Sequence, residues 1–350
     1  MYDIEQIIAK SASLGGSDIH IVFGLPPKCR VDGVPINIEE AVLTDEDCVH
    51  IAKQLAGADY EKISKIGELD LAVSMAGERV RINLFRQQGH ISAALRILSN
   101  KIPMLDSLGL PPAVKEFPKY NKGIVLVTGE TGSGKSTTLA AILNQINHTR
   151  KEHIITLEDP IEYIYKPDQC IINQREIGSD TESYADGLRA ILREDPDIIL
   201  IGEMRDVVTM EIALTAAETG HLVFATLHTN SAPDSIDRIV GTFPAERQQQ
   251  VRMQLSTTIK AILSQQLLPR ASGHGRIVAV ECMIATSSIQ NLIREGKTPQ
   301  MQSYMLSDSE KGSITMDNCL LKMAMNRDIE PSVAIAASND TEYVRKKLLI

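Results

Sequence analysis

Hydrophobic and polar positions fall into two patterns that meet near residue 100. In the first, Ile4 to Ser13 has helical spacing and Asp18 to Phe23 alternates as a strand does. Gly24-Leu-Pro-Pro27 turns the chain into a further strand through Arg30 and Val31. A helix over Asp45 to Leu55 and alternating strands around Asp70 to Ser74 and Arg79 to Phe85 complete a small mixed α/β unit. In the second pattern, apolar runs at Ile124 to Thr128, His153 to Leu157, Ile198 to Ile201 and Leu222 to Leu227 alternate with helical periodicity. That alternation predicts an α/β sheet with helices on both faces. Between the two, Lys101 to Lys122 carries Pro103, Pro111, Pro112 and Pro118, a composition that predicts a connector rather than a packed element.

One run ends in a loop whose chemistry is specific. Ile124 to Thr128 is followed by Gly129-Glu-Thr-Gly-Ser-Gly-Lys-Ser136, then by Leu139, Ile142, Leu143 and Ile146 on one helical face. Strand, glycine-rich loop and helix are the context in which successive N–H groups cradle phosphates at a helix N-terminus. Gly129, Thr131, Gly132, Ser133, Gly134, Lys135, Ser136 and Thr137 are therefore the candidate nucleotide-binding residues. Lys135 would reach the outer phosphates, and Ser136 would offer its hydroxyl to Mg²⁺, which prefers hard oxygen ligands. ATP and Mg²⁺ are the expected ligands.

Composition narrows the class. The 350 residues suffice for about two domains, and 43% hydrophobic with 23% charged residues suits a globular chain. A net charge of −9 argues against a surface that tracks nucleic acid. No leader-like start and no apolar run near the ~18 residues needed to span a bilayer are present, so a cytoplasmic chain that meets the membrane only through partners is expected. Cys29, Cys48, Cys170, Cys282 and Cys319 are scattered without a C-x-x-C pair, which disfavours zinc and a disulfide framework.

Three further strands end in polar residues, where ligands sit in such sheets. Glu158-Asp159-Pro160-Ile161-Glu162 crowds carboxylates beside a proline turn; Glu158 and Glu162 could orient metal-bound water or pair with arginine, and the same pattern fits a solvated acidic turn. Asp197-Ile-Ile-Leu-Ile-Gly-Glu203 delivers Glu203 where a general base for the attacking water belongs, with Gly202 at the step where phosphate-loop enzymes often place Asp. His221-Leu-Val-Phe-Ala-Thr-Leu-His228-Thr-Asn230 ends in His228, a candidate γ-phosphate sensor or a structural histidine.

Taken together, Gly129 to Thr137, the acidic box Ile155 to Tyr163, Leu192 to Asp206 and the histidine box His221 to Ala232 resemble the secretion and type IV pilus ATPase superfamily. Within it the chain is most similar to the PilT-type pilus retraction ATPases, along essentially its whole length. Gly16-Ser-Asp-Ile-His20 and Gly24 to Gly33 resemble that family's PAS-like domain. The resemblance implies an α/β fold with a PAS-like N-terminal domain over residues 1–100, a linker over 101–122, a RecA-like ATPase core over 123–275 and a helical C-terminal subdomain over 276–350. Assembly and type II secretion relatives usually carry a further N-terminal domain and a four-cysteine zinc insertion, neither expected here.

The same resemblance implies a homohexamer with nucleotide between neighbouring subunits, and arginines supplied in trans. Candidates are Arg79, Arg81, Arg86 and Arg96, of which Arg81 and Arg96 align with arginines that the family uses. As partners it implies a platform protein of the inner membrane and, indirectly, pilin, with the ring at the cytoplasmic face of the pilus base. The linker would act as the hinge between moving domains. Ser288-Ile-Gln-Asn-Leu-Ile-Arg-Glu295 resembles the family's retraction signature, departing at Ser288 and Gln290, and by itself reads as an amphipathic helix stopped by Gly296. Glu130 stands where the family often has proline. Alternatives are a pilus assembly, type II secretion or DNA-uptake motor, a RecA-like DNA-dependent ATPase, and a nucleotide-dependent ring that does not turn over.

Overall fold

The computed structural model describes residues 2–31, 33–98 and 101–348. Asp32, within the stretch compared with the PAS-like domain, lies outside the described residues. The chain divides into two compact units, Met1–Lys101 with Pro160–Ile164, and Ile102–Asp159 with Tyr165–Ile350.

The first unit runs α1 (Ile4–Ser13), β1 (Asp18–Ile21), β2 (Lys28–Val31), β3 (Val34–Asn37), α2 (Asp45–Ala56), α3 (Tyr60–Ile66), β4 (Glu68–Met75), β5 (Glu78–Gln87) and β6 (His90–Leu98). The strands pair antiparallel in the order β3-β2-β1-β6-β5-β4. Alternation then sorts the sheet's two faces. Ile19, Ile21, Cys29, Ile82, Leu84 and Leu95 join Ile4, Ile8, Ile51 and Leu55 of α1 and α2 in one core. The residues between them put Arg30, Asp18, Arg96 and Arg81 side by side across β2, β1, β6 and β5. α2 begins with a reciprocal cap, Thr44 accepting the N–H of Asp47 while the Asp47 carboxylate accepts that of Thr44.

The second unit contains β7 (Gly123–Thr128), α4 (Lys135–Thr149), β8 (His153–Glu158), β9 (Ile171–Glu176), α5 (Tyr184–Ile191), β10 (Ile198–Ile201), α6 (Val207–Glu218), β11 (Leu222–Leu227), α7 (Ala232–Thr242) and α8 (Ala245–Thr258). There follow β12 (Ile259–Pro269), β13 (Arg276–Ile284), α9 (Ser287–Glu295), α10 (Met301–Ser307), α11 (Met316–Met325), α12 (Pro331–Ala337) and α13 (Thr341–Leu348). The sheet order is β13-β12-β7-β11-β10-β8-β9, parallel except for β13 against β12. Every residue of β7, β10 and β11 is buried, which is why these strands read as continuous apolar runs: helices cover both faces of a parallel sheet.

Two expectations change. The proline-bearing stretch forms 3₁₀ segments at Leu105–Leu108 and Pro112–Lys119 and buries Leu105, Val114 and Phe117. Its prolines start and shape these segments, Pro112 serving as a first-turn residue, and Arg150 holds the stretch against the end of α4 by donating to the carbonyls of Pro118 (2.8 Å) and Tyr120 (2.6 Å). Residues 276–350 open not on a helix but on β13, which extends the sheet; helices take over from Ser287. The retraction-signature stretch forms α9, with Ile289, Leu292 and Ile293 buried and Gly296 at φ 69° closing it. Among the described residues no helix is long and apolar enough to cross a membrane.

Candidate active site

The loop between β7 and α4 closes tightly on itself. Gly129 has φ 137°, and a Cβ there would lie 2.3 Å from the carbonyl oxygen of Gln265, so the strand-to-loop turn admits glycine alone. Gly132 and Gly134 also have positive φ, and Gly134 caps α4. Lys135 donates to the carbonyls of Gly129 (2.7 Å) and Glu130 (2.9 Å), folding its ammonium over the loop that its own backbone follows. Thr131 and the Glu130 side chain are exposed, Ser136 and Thr137 half-buried.

Two clefts flank this loop. One of about 470 Å³ is lined by Glu130, Thr131, Gly132, Ser133, Asn230 and Ala336 to Asn339 among others; a second of about 300 Å³ by Ser107 to Gly109, Thr137, Leu267, Arg270 and Arg276. Ser133 and Gln265 line both, and their buried Oγ and Oε1 have no hydrogen-bond partner. A buried polar atom left unpaired is costly, so these two atoms fit a polar ligand beside the loop. Residues 107–109 and Arg270, Arg276 and Gln265 carried no motif in the sequence. The one available signal was Ser264-Gln265-Gln266, polar residues inside the apolar run of β12.

Parallel pairing brings the other strand ends to the same edge. Thr128 lies opposite Leu227, and Ile201 lies between Ala225 and Leu157. Gly202 follows β10 where a side chain has little room: a Cβ would stand 2.9 Å from the Tyr184 hydroxyl and 3.1 Å from the Leu157 carbonyl oxygen. An Asp at that step, usual in phosphate-loop enzymes, would meet Tyr184 of α5 and the backbone of Leu157 and Glu158 at the end of β8. The next residue, Glu203, is therefore the carboxylate that β10 delivers, two strands and on the order of 10 Å from β7.

Glu203 is held from two sides. Arg205 Nη2 lies 2.7 Å from its Oε2, and His228 Nε2 lies 3.2 Å from its Oε1. Burial works to raise the Glu203 carboxyl, but the Arg205 hydrogen bond and charge, with His228, outweigh it and hold the group below the usual carboxylate range. The Arg205 guanidinium is raised in turn, chiefly by its hydrogen bond to Glu203. Arg205 stands inside the Leu192 to Asp206 stretch, yet nothing in the sequence marked it as the partner of Glu203.

Glu158 ends β8 and accepts hydrogen bonds from Thr156 Oγ1 (2.6 Å) and Gln174 Nε2 (3.4 Å). Glu162 is exposed in Pro160–Ile164, which belongs to the first unit, where Arg79 Nε donates to the carbonyl of Ile161 at 3.4 Å. Arg81 and Arg96 lie directly opposite each other on β5 and β6, both exposed. Like charges so placed repel. Asp18 offsets this by accepting from Arg96 Nε at 2.8 Å. The five cysteines are free and buried. Among the described residues no three His, Cys, Asp or Glu side chains gather as a metal-holding group. The Ser136 hydroxyl and the Glu158 carboxylate are the side chains that could hold a cation here, beside phosphate oxygens and water.

Residues 3–297 match the family described as type II/IV secretion system protein. The chain belongs to that family. It is 45% identical over 324 residues to the type IV pilus retractation ATPase PilT of Pseudomonas aeruginosa, covering 91% of this chain and 93% of that one. It is 40% identical to a twitching motility protein of Neisseria gonorrhoeae over 90% of this chain and 85% of the relative. A crystal structure of the pilus retraction motor PilT with bound ADP superposes with a TM-score of 0.91 at 44% identity, covering 99% of this chain and all of the other. The secretion-protein family match ends at residue 297, inside the second unit, while the superposition runs on through the C-terminal helices.

Proposed function

We propose that this secretion-family chain is an ATP-hydrolysing motor that retracts type IV pili and so powers twitching motility. The observation that carries the reading is its end-to-end likeness, in sequence and in fold, to the retraction motor PilT. The site supports it with a phosphate loop and a strand-end carboxylate in one unit.

The N–H groups of Gly132 to Lys135 would receive the β- and γ-phosphates, with Gly129, Thr131 and Thr137 shaping the cradle. Lys135, now on the loop carbonyls, would turn its ammonium to the outer phosphates. Ser136 would hold Mg²⁺ with Glu158 orienting its water shell, the ion neutralising charge that grows on the transferring group. Glu203 takes a proton from the attacking water as its oxygen bonds to the γ-phosphorus and ADP leaves. His228, in contact with the same carboxylate, would register the loss of the γ-phosphate. The exposed pair Arg81 and Arg96 would act on a nucleotide held by a neighbouring copy in a ring of six, and Glu162 would orient metal-bound water or pair with an arginine. The ring would work at the cytoplasmic face of the membrane, through a platform protein, on pilin.

Arg205→Gln tests the assignment of the base. Without that hydrogen bond and charge the Glu203 carboxyl rises; because the base acts ionised, the acid limb of the kcat/KM profile for ATP moves to higher pH. An acid limb unmoved or shifted downward would speak against Glu203 as base. Phosphate release from ATP and Mg²⁺ by the purified chain, with and without single-stranded DNA, tests the activity itself. Turnover that DNA leaves unchanged is expected; turnover that requires DNA would favour the DNA-dependent reading.

A further inference from the structure

Glu281 is a fully buried carboxylate that the hydrolysis chemistry above does not use. β13 places it opposite Ser264, whose hydroxyl lies 2.8 Å from that of Thr128 at the end of β7. Its Oε1 accepts the N–H of Ala232 at 2.7 Å and its Oε2 accepts that of Met316 at 3.4 Å. Ala232 opens α7 and Met316 opens α11. First-turn N–H groups have no partner within their own helix and sit at its positive end. One carboxylate thus serves two helix starts, and Thr315, the residue before α11, supplies no side-chain cap of its own. Burial pushes the Glu281 carboxyl up to about 7, with the two N–H donors working against that rise.

Both helices lead back to the phosphate loop. α7 follows directly on His228 to Ser231, so its first turn is fixed to the segment that touches Glu203 and that places Asn230 in the 470 Å³ cleft. In α11, Asp317 accepts the N–H groups of Asn339 (2.8 Å) and Asp340 (3.1 Å), and Gln266 Nε2 donates to the carbonyl of Ala337 at 3.4 Å. Ala336 to Asn339 line that cleft together with Glu130 to Ser133. Glu281 is the point where the two routes meet.

We propose that Glu281 is a positioning residue that couples the histidine box to the C-terminal helices, so that α11 and the cleft wall beyond it follow the state of the bound nucleotide. The inference rests on the ATPase reading of the same site. Gln keeps the shape but sets an amide N–H₂ against one of the two backbone donors, so Glu281→Gln releases one helix start while leaving the phosphate loop intact.

The test is hydrogen–deuterium exchange with and without a non-hydrolysable ATP analogue, read together with steady-state kinetics. In the unaltered chain, the analogue should protect residues 129–137, 228–235 and 316–325. In Glu281→Gln it should still protect the first two segments but no longer 316–325, with KM for ATP within twofold and kcat lowered about tenfold. Asp317→Asn, on a half-buried side chain, provides a second variant: protection of 316–325 should persist while that of 336–340 stops responding. Protection of 316–325 that responds equally in Glu281→Gln, or that ignores nucleotide in the unaltered chain, overturns the coupling. Absence of protection at 129–137 in the unaltered chain would instead strike the ATPase reading.

Discussion

Glu203→Gln should bind ATP as tightly as the unaltered chain and release phosphate at least a hundredfold more slowly. The amide preserves size and can still meet Arg205 or His228, but it cannot take a proton from water. General-base catalysis contributes about 10²- to 10⁴-fold, or roughly 3 to 5 kcal/mol of barrier. The geometry makes the substitution mild for the fold: Glu203 is one of the less buried groups at the strand ends, with 18% of its side chain exposed and its partner Arg205 largely in solvent. Loss of turnover should therefore appear without a matching loss of thermal stability. Phosphate release within threefold of normal would remove Glu203 from the role of base.

Lys135→Ala should weaken ATP binding by on the order of a hundredfold and abolish turnover. Charge-assisted hydrogen bonds contribute about 1.5 to 3 kcal/mol each, so an ammonium lost from the outer phosphates weakens binding by on the order of a hundredfold. The effect on the empty protein is separable. Lys135 also donates to the carbonyls of buried Gly129 and exposed Glu130, so a modest drop in thermal stability is expected beside a large drop in affinity. Titration with a fluorescent ATP analogue measures the first and a melting curve the second. Affinity unchanged within a factor of three would contradict the loop's assignment.

How much of this was written in the chain depends on the range of the interactions. Local patterns succeeded: α1 spans the residues that their spacing marked, and β10 and β11 fall where continuous apolar runs predicted buried parallel strands. The phosphate loop was evident because its chemistry is a backbone shape encoded by neighbouring glycines. β12 and β13 were not marked, since α8 passes into β12 at Thr258 and Ile259 without a turn residue, and their pairing is fixed by contacts far apart in sequence. The same holds at the site. Glu203 and His228 were suggested by strand ends, whereas Arg205 against Glu203, Tyr184 against Gly202 and Gln265 against the loop appear only once the sheet is assembled. The prolines at 103–118 suggested a connector rather than a packed element, but Val114 and Phe117 between them bury completely and the segment belongs to the second unit.

Glu130 illustrates how a departure from a family pattern can be neutral in shape. Its side chain is exposed, and its carbonyl, not its carboxylate, meets Lys135. Any backbone residue supplies that carbonyl. The exposed carboxylate does lie on the cleft beside the loop, which is where it would influence an anionic ligand.

Whether turnover at Glu203 drives pilus retraction is read from the number of surface pili, with twitching, in cells deleted for this chain and complemented with either the unaltered sequence or Glu203→Gln. Excess pili and no twitching are expected in the deletion and in the Glu203→Gln strain, with both returned to normal by the unaltered chain. Cells without pili, or Glu203→Gln cells that twitch normally, would contradict it.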